Sequence, residues 1–93
     1  MIKRISMWKL RDASQADEMK QKLLSMRNRV GALYDIEVGV NLSTHASAYD
    51  IVFVGTFLNQ DAVREFEVDE YHKEVGEFVS SLRVDRKVVE FEC

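Results

Sequence analysis

His72 is the residue of this sequence whose chemistry is best suited to proton transfer at neutral pH. An imidazole titrates near ~6.5, so it gives and takes protons in the range in which most enzymes work. Asp69 and Glu70 precede it closely, and a carboxylate within hydrogen-bond reach would fix its tautomer. Two interpretations stay open: His72 is a general base, or it is a surface or helix-capping histidine without a chemical role.

Arg4 lies in a predicted strand whose same face carries Ser6 and Trp8, because side chains alternate along a strand. If that face lines a cleft, the guanidinium would bind a carboxylate or phosphate through two parallel hydrogen bonds. Its charge would also keep a nearby His72 unprotonated. Trp8 and Tyr49 offer rings on which a planar ligand stacks. The alternative is that Arg4 reaches from the strand into water and that both aromatic residues belong to the core.

Signals for other chemistry are weak. His45, His72, Asp69 and Glu70 do not follow a known ligand spacing, so no metal is expected, although magnesium bound by one or two carboxylates would leave little trace. The sequence has no nucleophile motif, no glycine-rich phosphate loop and no C-x-x-C pair, so no cofactor is expected either. The mixed charges of Arg83–Lys87 are typical of a solvated surface.

A length of 93 residues predicts one domain over residues 1–93. The hydrophobic share of 46% and the charged share of 31% are those of a globular protein. A net charge of −3 argues against nucleic acid and against an anionic membrane surface as partners. No signal peptide or spanning segment is recognisable, and the single cysteine, Cys93, cannot form an internal disulfide. We therefore expect a cytoplasmic protein.

The apolar pattern predicts the first half of the fold as strand, helix, strand. The first strand covers Ile2–Leu10, and a polar turn leads to a capping-box-like start at Ser14. The helix that follows is about 16 residues long and ends at Gly31, which suits a left-handed cap. Its apolar stripe consists of Ala16, Met19, Leu23, Met26 and Val30. Alternating residues then predict a strand over Tyr34–Asn41.

The second half is predicted as strand, broken helix, strand. The strand Tyr49–Leu58 is apolar on both faces, which is typical of a central strand. The apolar register of the next helix changes near Asp69, so Asp69 is predicted to be an internal N-cap between two helical pieces. The last strand is predicted over Val84–Glu92. The order β-α-β-β-α-β predicts a ferredoxin-like α+β fold with an antiparallel four-stranded sheet in the order 4-1-3-2.

The same pattern predicts a homodimer. Two helices cover one face of a four-stranded sheet, yet the third strand is apolar on both faces. Nothing else in the chain covers the second face, and an apolar patch of that size is unusual on a soluble monomer. We expect a second copy of the chain to pack sheet against sheet with two-fold symmetry.

Several stretches carry a resemblance to a known family by their order and spacing. They are Met1–Ile5 with Trp8–Leu10, Ile36–Asn41, Tyr49–Val54 with Phe57, Phe66–His72 and Val84–Phe91. Together they resemble the stress-responsive dimeric A/B barrel domain, or Dabb, over essentially the whole chain. The resemblance implies a dimer in which two ferredoxin-like sheets form an α+β barrel.

The Dabb family has no single activity, and many members have none assigned. One plant member is a polyketide cyclase with a cleft between sheet and helices. Its pattern has a first-strand histidine, which is Arg4 here, and a His-Pro-x-His motif, which is Asp69–His72 here. Phe66 stands where the cyclase has a tyrosine. The candidates carried forward are His72 as the general base and, for ligand binding, Arg4, Ser6, Trp8, Phe66 and Asp69.

Three hypotheses for function follow. The first is a proton-transfer enzyme, or the remnant of one, that uses His72 on a small molecule. The second is a non-catalytic, stress-associated module whose cleft holds a small organic anion through Arg4. The third is a relative of haem-degrading or quinone-oxidising monooxygenases on the same barrel, for which fold-level analogy is the only support.

Overall fold

The chain forms four strands and three α-helices, and the computed structural model describes all of residues 1–93. In chain order the elements are β1 (Ile2–Leu10), α1 (Ala16–Leu24), β2 (Asp35–Val40), β3 (Ile51–Phe57), α2 (Gln60–Val68), α3 (Glu70–Leu82) and β4 (Arg83–Glu92). A 3₁₀ turn over Ala13–Gln15 precedes α1. No helix is long and apolar enough to cross a membrane.

The four strands form one antiparallel sheet in the order β2-β3-β1-β4. Read from the other edge this is the predicted order 4-1-3-2, so the predicted ferredoxin-like sheet is confirmed. At the centre of the sheet Ile5 pairs with Val54 of β3 on one side and with Val89 of β4 on the other. β1 and β3 are the inner strands, as their apolar composition predicted.

The core lies between the helices and one face of the sheet. Phe53 and Phe57 of β3 and Trp8 of β1 point into it, and each is at most 5% exposed. Every residue of the predicted first-helix stripe is buried there as well. Burial of each large apolar side chain stabilises the fold by about 1.5–3 kcal/mol, so this layer fixes how the helices sit on the sheet.

The first helix differs from its prediction at both ends. The residue that caps the 3₁₀ turn is Asp12, whose carboxylate accepts the Ser14 N–H at 3.0 Å, so Ser14 is not the N-cap. α1 ends at Leu24 rather than at Gly31, and a series of turns follows. Successive turns advance the chain much as a helix does, so the apolar spacing continues through them. Asn28 takes the left-handed conformation, with φ 67°, that was expected at Gly31.

The break in the second helical region is where the sequence predicts it. α2 ends at Val68, and Asp69 is extended, with ψ 130°. The Asp69 carboxylate then accepts the backbone N–H of His72 at 3.0 Å and caps α3.

The strand ends differ slightly from their predictions. β2 lacks the predicted end residues Tyr34 and Asn41, and β3 lacks Tyr49, Asp50 and Leu58. β4 begins one residue early, at Arg83, and its pairing with β1 is irregular there. Lys9 pairs with Asp85, while Leu10 pairs with Arg83, which leaves Val84 as a β-bulge.

The face of the sheet opposite the helices is apolar and is not covered by any element of the chain. We call it the open sheet face; its apolar residues are Ile5, Met7, Val52, Val54, Val89 and Phe91. The last two are 55% and 43% exposed. This is the face for which the sequence predicts a second copy of the chain.

Candidate functional site

A cleft of about 580 Å³ lies between the sheet and the helices, above β1 and β4 and below α2 and α3. Its volume is in the range of small-molecule sites, roughly 300–1,000 Å³. The apolar part of the wall includes Trp8, Phe53, Phe66, Val75 and Val79. The polar part consists of Arg4, Ser6, Glu67, His72, Ser80, Arg83, Arg86 and Glu90. All the candidate residues except Asp69 therefore line one cavity.

His72 is held in one orientation by the end of α2. A ring nitrogen, Nδ1, lies 2.7 Å from the backbone oxygen of Phe66. Because a carbonyl oxygen only accepts, Nδ1 must carry the hydrogen, and the neutral ring therefore has its lone pair on Nε2. The imidazole also stacks on the Phe66 ring, with centroids 3.7 Å apart and planes 22° apart.

Nε2 of His72 has no hydrogen-bond partner in the protein. Every fully buried side-chain nitrogen or oxygen of the protein has a hydrogen-bond partner, so Nε2, which has none, is not fully buried. The unshared pair of Nε2 is therefore accessible to a molecule in the cleft. This geometry is that of a base with its second nitrogen occupied by an orienting group.

The surroundings of His72 favour the neutral ring. Burial is the main cause that lowers the pKa of His72 below its ordinary value of 6.5, and the charges of Arg4 and Arg86 act in the same direction. The Phe66 carbonyl and the Asp69 carboxylate oppose them without cancelling the effect. The imidazole is therefore available as a proton acceptor at neutral pH.

Arg4 reaches the cleft, but its charge is already paired. Its Nε donates to Glu90 Oε1 at 2.9 Å, and its Nη2 lies 3.7 Å from Glu67 Oε2. The side chain is only 15% exposed, and the guanidinium lies 6.0 Å from the centre of the Phe66 ring. Arg4 therefore joins β4 and α2 to β1, which makes it a weaker anion site than its residue type alone predicts.

Ser6 and Trp8 form the floor of the cleft beside Arg4. Both are nearly inaccessible, at 2% and 5%. The Ser6 hydroxyl is within 3.5 Å of Arg86 Nη2, and the Trp8 ring packs against Phe53 at 6.5 Å between centroids. Trp8 is thus both a core residue and a wall of the cavity, so the two interpretations of it are not exclusive.

Asp69 and Tyr49 lie outside the cleft wall. Asp69 acts on the site through the backbone and through its charge, since it caps α3 at His72. Tyr49 donates its hydroxyl hydrogen to Asp85, so it is not a stacking surface for a ligand in this cleft.

Arg83 and Arg86 are two charged cleft residues that the sequence pattern did not single out. They belong to a run of mixed charge that is typical of a solvated surface, and in a regular strand two residues three apart face opposite sides. Trp8 pairs with Arg86 and Leu10 pairs with Arg83, and both partners face the helices. The bulge at Val84 therefore turns Arg83 to the side that Arg86 already faces, and this local irregularity is not visible in the residue pattern.

The whole chain matches one family. The model of the Stress responsive A/B Barrel Domain, Dabb, matches residues 2–93. The chain belongs to the Dabb family. No curated protein is significantly similar to it in sequence.

Solved structures share the fold of this Dabb domain at low sequence identity. A dimeric protein of unknown function with a ferredoxin-like fold, from Bacteroides fragilis, is 22% identical, with a TM-score of 0.86 over 99% of this chain and 95% of that one. A hydroxynitrile lyase from Passiflora edulis is 12% identical, with a TM-score of 0.83 over 97% and 90%. An antibiotic biosynthesis monooxygenase is 14% identical, with a TM-score of 0.78 over 100% and 98%. At these identities the similarity shows the fold alone.

The Dabb cleft carries no cluster of three or more histidine, cysteine, aspartate or glutamate side chains that could hold a metal ion. Its two carboxylates, Glu67 and Glu90, are both engaged by Arg4. What the cavity does assemble is an oriented neutral imidazole, an apolar wall and a surplus of positive charge.

Proposed function

We propose that this Dabb domain is a small-molecule enzyme in which Nε2 of His72 removes a proton from a substrate held in the cleft. The observation that carries the proposal is the hydrogen bond of Nδ1 to the Phe66 carbonyl at 2.7 Å, which leaves Nε2 with a free lone pair. The same hydrogen bond would also satisfy a carbonyl at the end of α2 in a histidine of purely structural role, so the proposal depends on the free Nε2 and on the position of the ring in the cleft wall. The substrate of this step is a molecule with an acidic C–H or O–H group.

Each neighbour of His72 has a part in this step. The Phe66 carbonyl holds the Nδ1 hydrogen and stabilises the imidazolium that forms when Nε2 takes up a proton. Phe66 covers one face of the ring and excludes water from that side. The negative charge left on the substrate is stabilised by Arg86, since a cation close to developing charge lowers the barrier of a proton transfer.

The fold does not select this chemistry. Proteins of similar fold include a hydroxynitrile lyase and an antibiotic biosynthesis monooxygenase, so one scaffold supports different reactions. The proposal therefore depends on the residues of the cleft. A binding module that holds an anion through Arg4 is the weaker alternative, because Glu90 and Glu67 already engage that guanidinium.

A probe reaction tests the base without knowledge of the natural substrate. A base that removes the ring C–H proton of 5-nitrobenzisoxazole breaks its N–O bond, and the electron pair ends on a coloured phenolate. We expect the protein to catalyse this reaction and His72→Gln to lose roughly 10²-fold in rate. The rate should fall on acidification with a midpoint below 6.5, since the pKa of His72 is lowered.

His45→Gln is the matched control, because His45 is the other histidine and lies on an exposed loop away from the cleft. It should leave the rate unchanged. A rate that survives His72→Gln, or that falls equally in both variants, contradicts the proposal. Binding of ligands without any rate above buffer would leave the binding module as the function.

We propose further that the working unit is a homodimer joined through the open sheet face. The support is the unpaired apolar surface around Ile5, together with the dimeric state described for the Bacteroides fragilis protein of the same fold. Packing one open face on another would remove this patch from water in both copies. Light scattering at micromolar concentration should give twice the mass of the chain.

A further inference from the structure

We propose that Arg83 and Arg86 form an anion-binding subsite that holds the carboxylate of a small, largely apolar acid in the cleft. This proposal rests on the proposed function in one respect, which is that the ligand binds in the cleft. It does not require that His72 transfers a proton. It differs from the arginine that the sequence suggested, since Arg4 is committed to protein carboxylates. It also gives the substrate of His72 a chemical class.

The first support is the way β4 is built. Without the bulge at Val84, Arg83 and Arg86 would face opposite sides of the sheet. The bulge inserts one residue opposite Leu10 and so places both guanidinium groups over one cavity. A bulge leaves part of the ladder unpaired, and bulges near binding sites commonly re-aim a side chain.

The second support is the pairing of charges within the cleft. Three arginines and two glutamates line it, and Arg4 takes both glutamates. The side chain of Arg86 makes only a long hydrogen bond of 3.5 Å, from Nη2 to the Ser6 hydroxyl, and neither Arg83 nor Arg86 is part of a salt bridge. The cavity of a protein with net charge −3 therefore carries surplus positive charge.

The third support is the cost of holding these charges together. Burial, followed by the charges of Arg4 and Arg83, lowers the pKa of Arg86 from its usual value. An anion between the two guanidinium groups would offset both the desolvation and the mutual repulsion. Guanidinium groups match a carboxylate particularly well because their planar forks donate two parallel hydrogen bonds.

The apolar wall sets the rest of the ligand. Trp8, Phe53 and Val75 lie in the same cavity as the two arginines. Such a site suits a ligand with an apolar or aromatic body and one anionic end. A free inorganic anion would leave that wall unused.

Benzoate and benzamide are matched probes of this subsite, because they have the same ring and differ in the charge of one planar group. The indole N–H signal of Trp8, the only tryptophan, reports binding in an NMR titration. We expect benzoate to bind about tenfold more tightly than benzamide. Arg83→Gln and Arg86→Gln should each weaken benzoate by about tenfold and leave benzamide unchanged.

Arg64→Gln is the control for net charge, since Arg64 is exposed on α2 and pairs with Asp61 outside the cleft. It should leave benzoate affinity unchanged. Equal affinity for the two probes, no benzoate binding at millimolar concentration, or an equal loss in Arg64→Gln overturns the subsite.

His72→Gln separates this proposal from the proposed function. If His72→Gln loses proton transfer but the arginine variants bind benzoate normally, the result supports His72 as the base and contradicts the anion subsite. If benzoate affinity depends on Arg83 and Arg86 while His72→Gln keeps the rate of proton transfer, the result supports the anion subsite and contradicts His72 as the base.

Discussion

Asp69 connects the stability of the domain to the state of its candidate base. It separates α2 from α3, and its carboxylate accepts the His72 N–H at 3.0 Å. Replacing it with alanine removes the cap and a negative charge at a helix N-terminus. Asp69→Asn keeps a side-chain oxygen for the cap but removes the charge, so the two variants separate the two contributions.

The expected loss in Asp69→Ala is the sum of two contributions. An N-cap contributes about 1 kcal/mol, and a carboxylate at a helix N-terminus adds about 0.5 kcal/mol. In a domain of this size about 1 kcal/mol corresponds to a shift of roughly 4–8 °C in Tm, so Asp69→Ala should lower Tm by about 6–12 °C. Asp69→Asn should lower it by about 2–4 °C.

Thermal unfolding followed by circular dichroism at fixed protein concentration measures this loss. NMR titration of the His72 ring supplies the second readout, because the Asp69 charge raises the pKa of His72 and both variants should therefore lower it further. Asp61→Ala is the control, because Asp61 is also an acid in the first turn of a helix but its carboxylate pairs with Arg64, while Asn59 caps α2. If Asp69→Ala unfolds within about 2 °C of the wild type, the cap does not hold the helix break.

Three further predictions concern the pH dependence, the core and the dimer. Because the folded-state pKa of His72 is lowered, the unfolded chain binds protons more readily, so stability should fall as pH drops through about 6.5 and further through the folded pKa. Urea unfolding between about pH 7 and pH 5 should show a smaller loss in His72→Gln, and an equal loss contradicts the assignment. Gly55→Ala should lower the free energy of unfolding by about 1–3 kcal/mol, because its Cβ would lie 2.6 Å from a Phe53 ring carbon. Gly76→Ala should raise it by about 0.5–1 kcal/mol, because Gly76 lies on α3 with open space around its Cβ position. Urea midpoints in the opposite order would refute this. Ile5→Lys, at the centre of the open sheet face, should halve the mass measured by light scattering. Leu42→Lys, on an exposed loop, should leave the mass unchanged. If Ile5→Lys is still a dimer, the dimer does not use this face.

Much of the fold could be predicted because its causes are local. Apolar residues at helical or alternating spacing mark the face that each element buries, and that spacing is visible without any tertiary contact. The break at Asp69 was predictable for the same reason, since a short acceptor at a change of register is a local N-cap signal. The end of α1 was not, because Met26 and Val30 keep the helical spacing while the chain runs in turns.

The candidate site was predictable only in part. His72, Arg4, Ser6 and Trp8 do line one cleft, and residue type together with strand alternation was enough to group the last three. The state of each side chain was not predictable. Arg4 meets Glu90, which is 86 residues away in the chain, and this pairing follows only from the register of β1 with β4.

The sequence by itself determined the order of the elements, the buried stripe of each and the apolar second face of β3, since these depend on side-chain periodicity. Only the tertiary structure decided which charges are paired, which nitrogen of His72 is free and which way Arg83 faces. Hydrogen-bond partners and strand register arise between residues far apart in the chain, and a one-residue bulge reverses the side to which a side chain points. The oriented base and the two unpaired arginines are therefore features of the folded Dabb domain that its residue pattern alone does not contain.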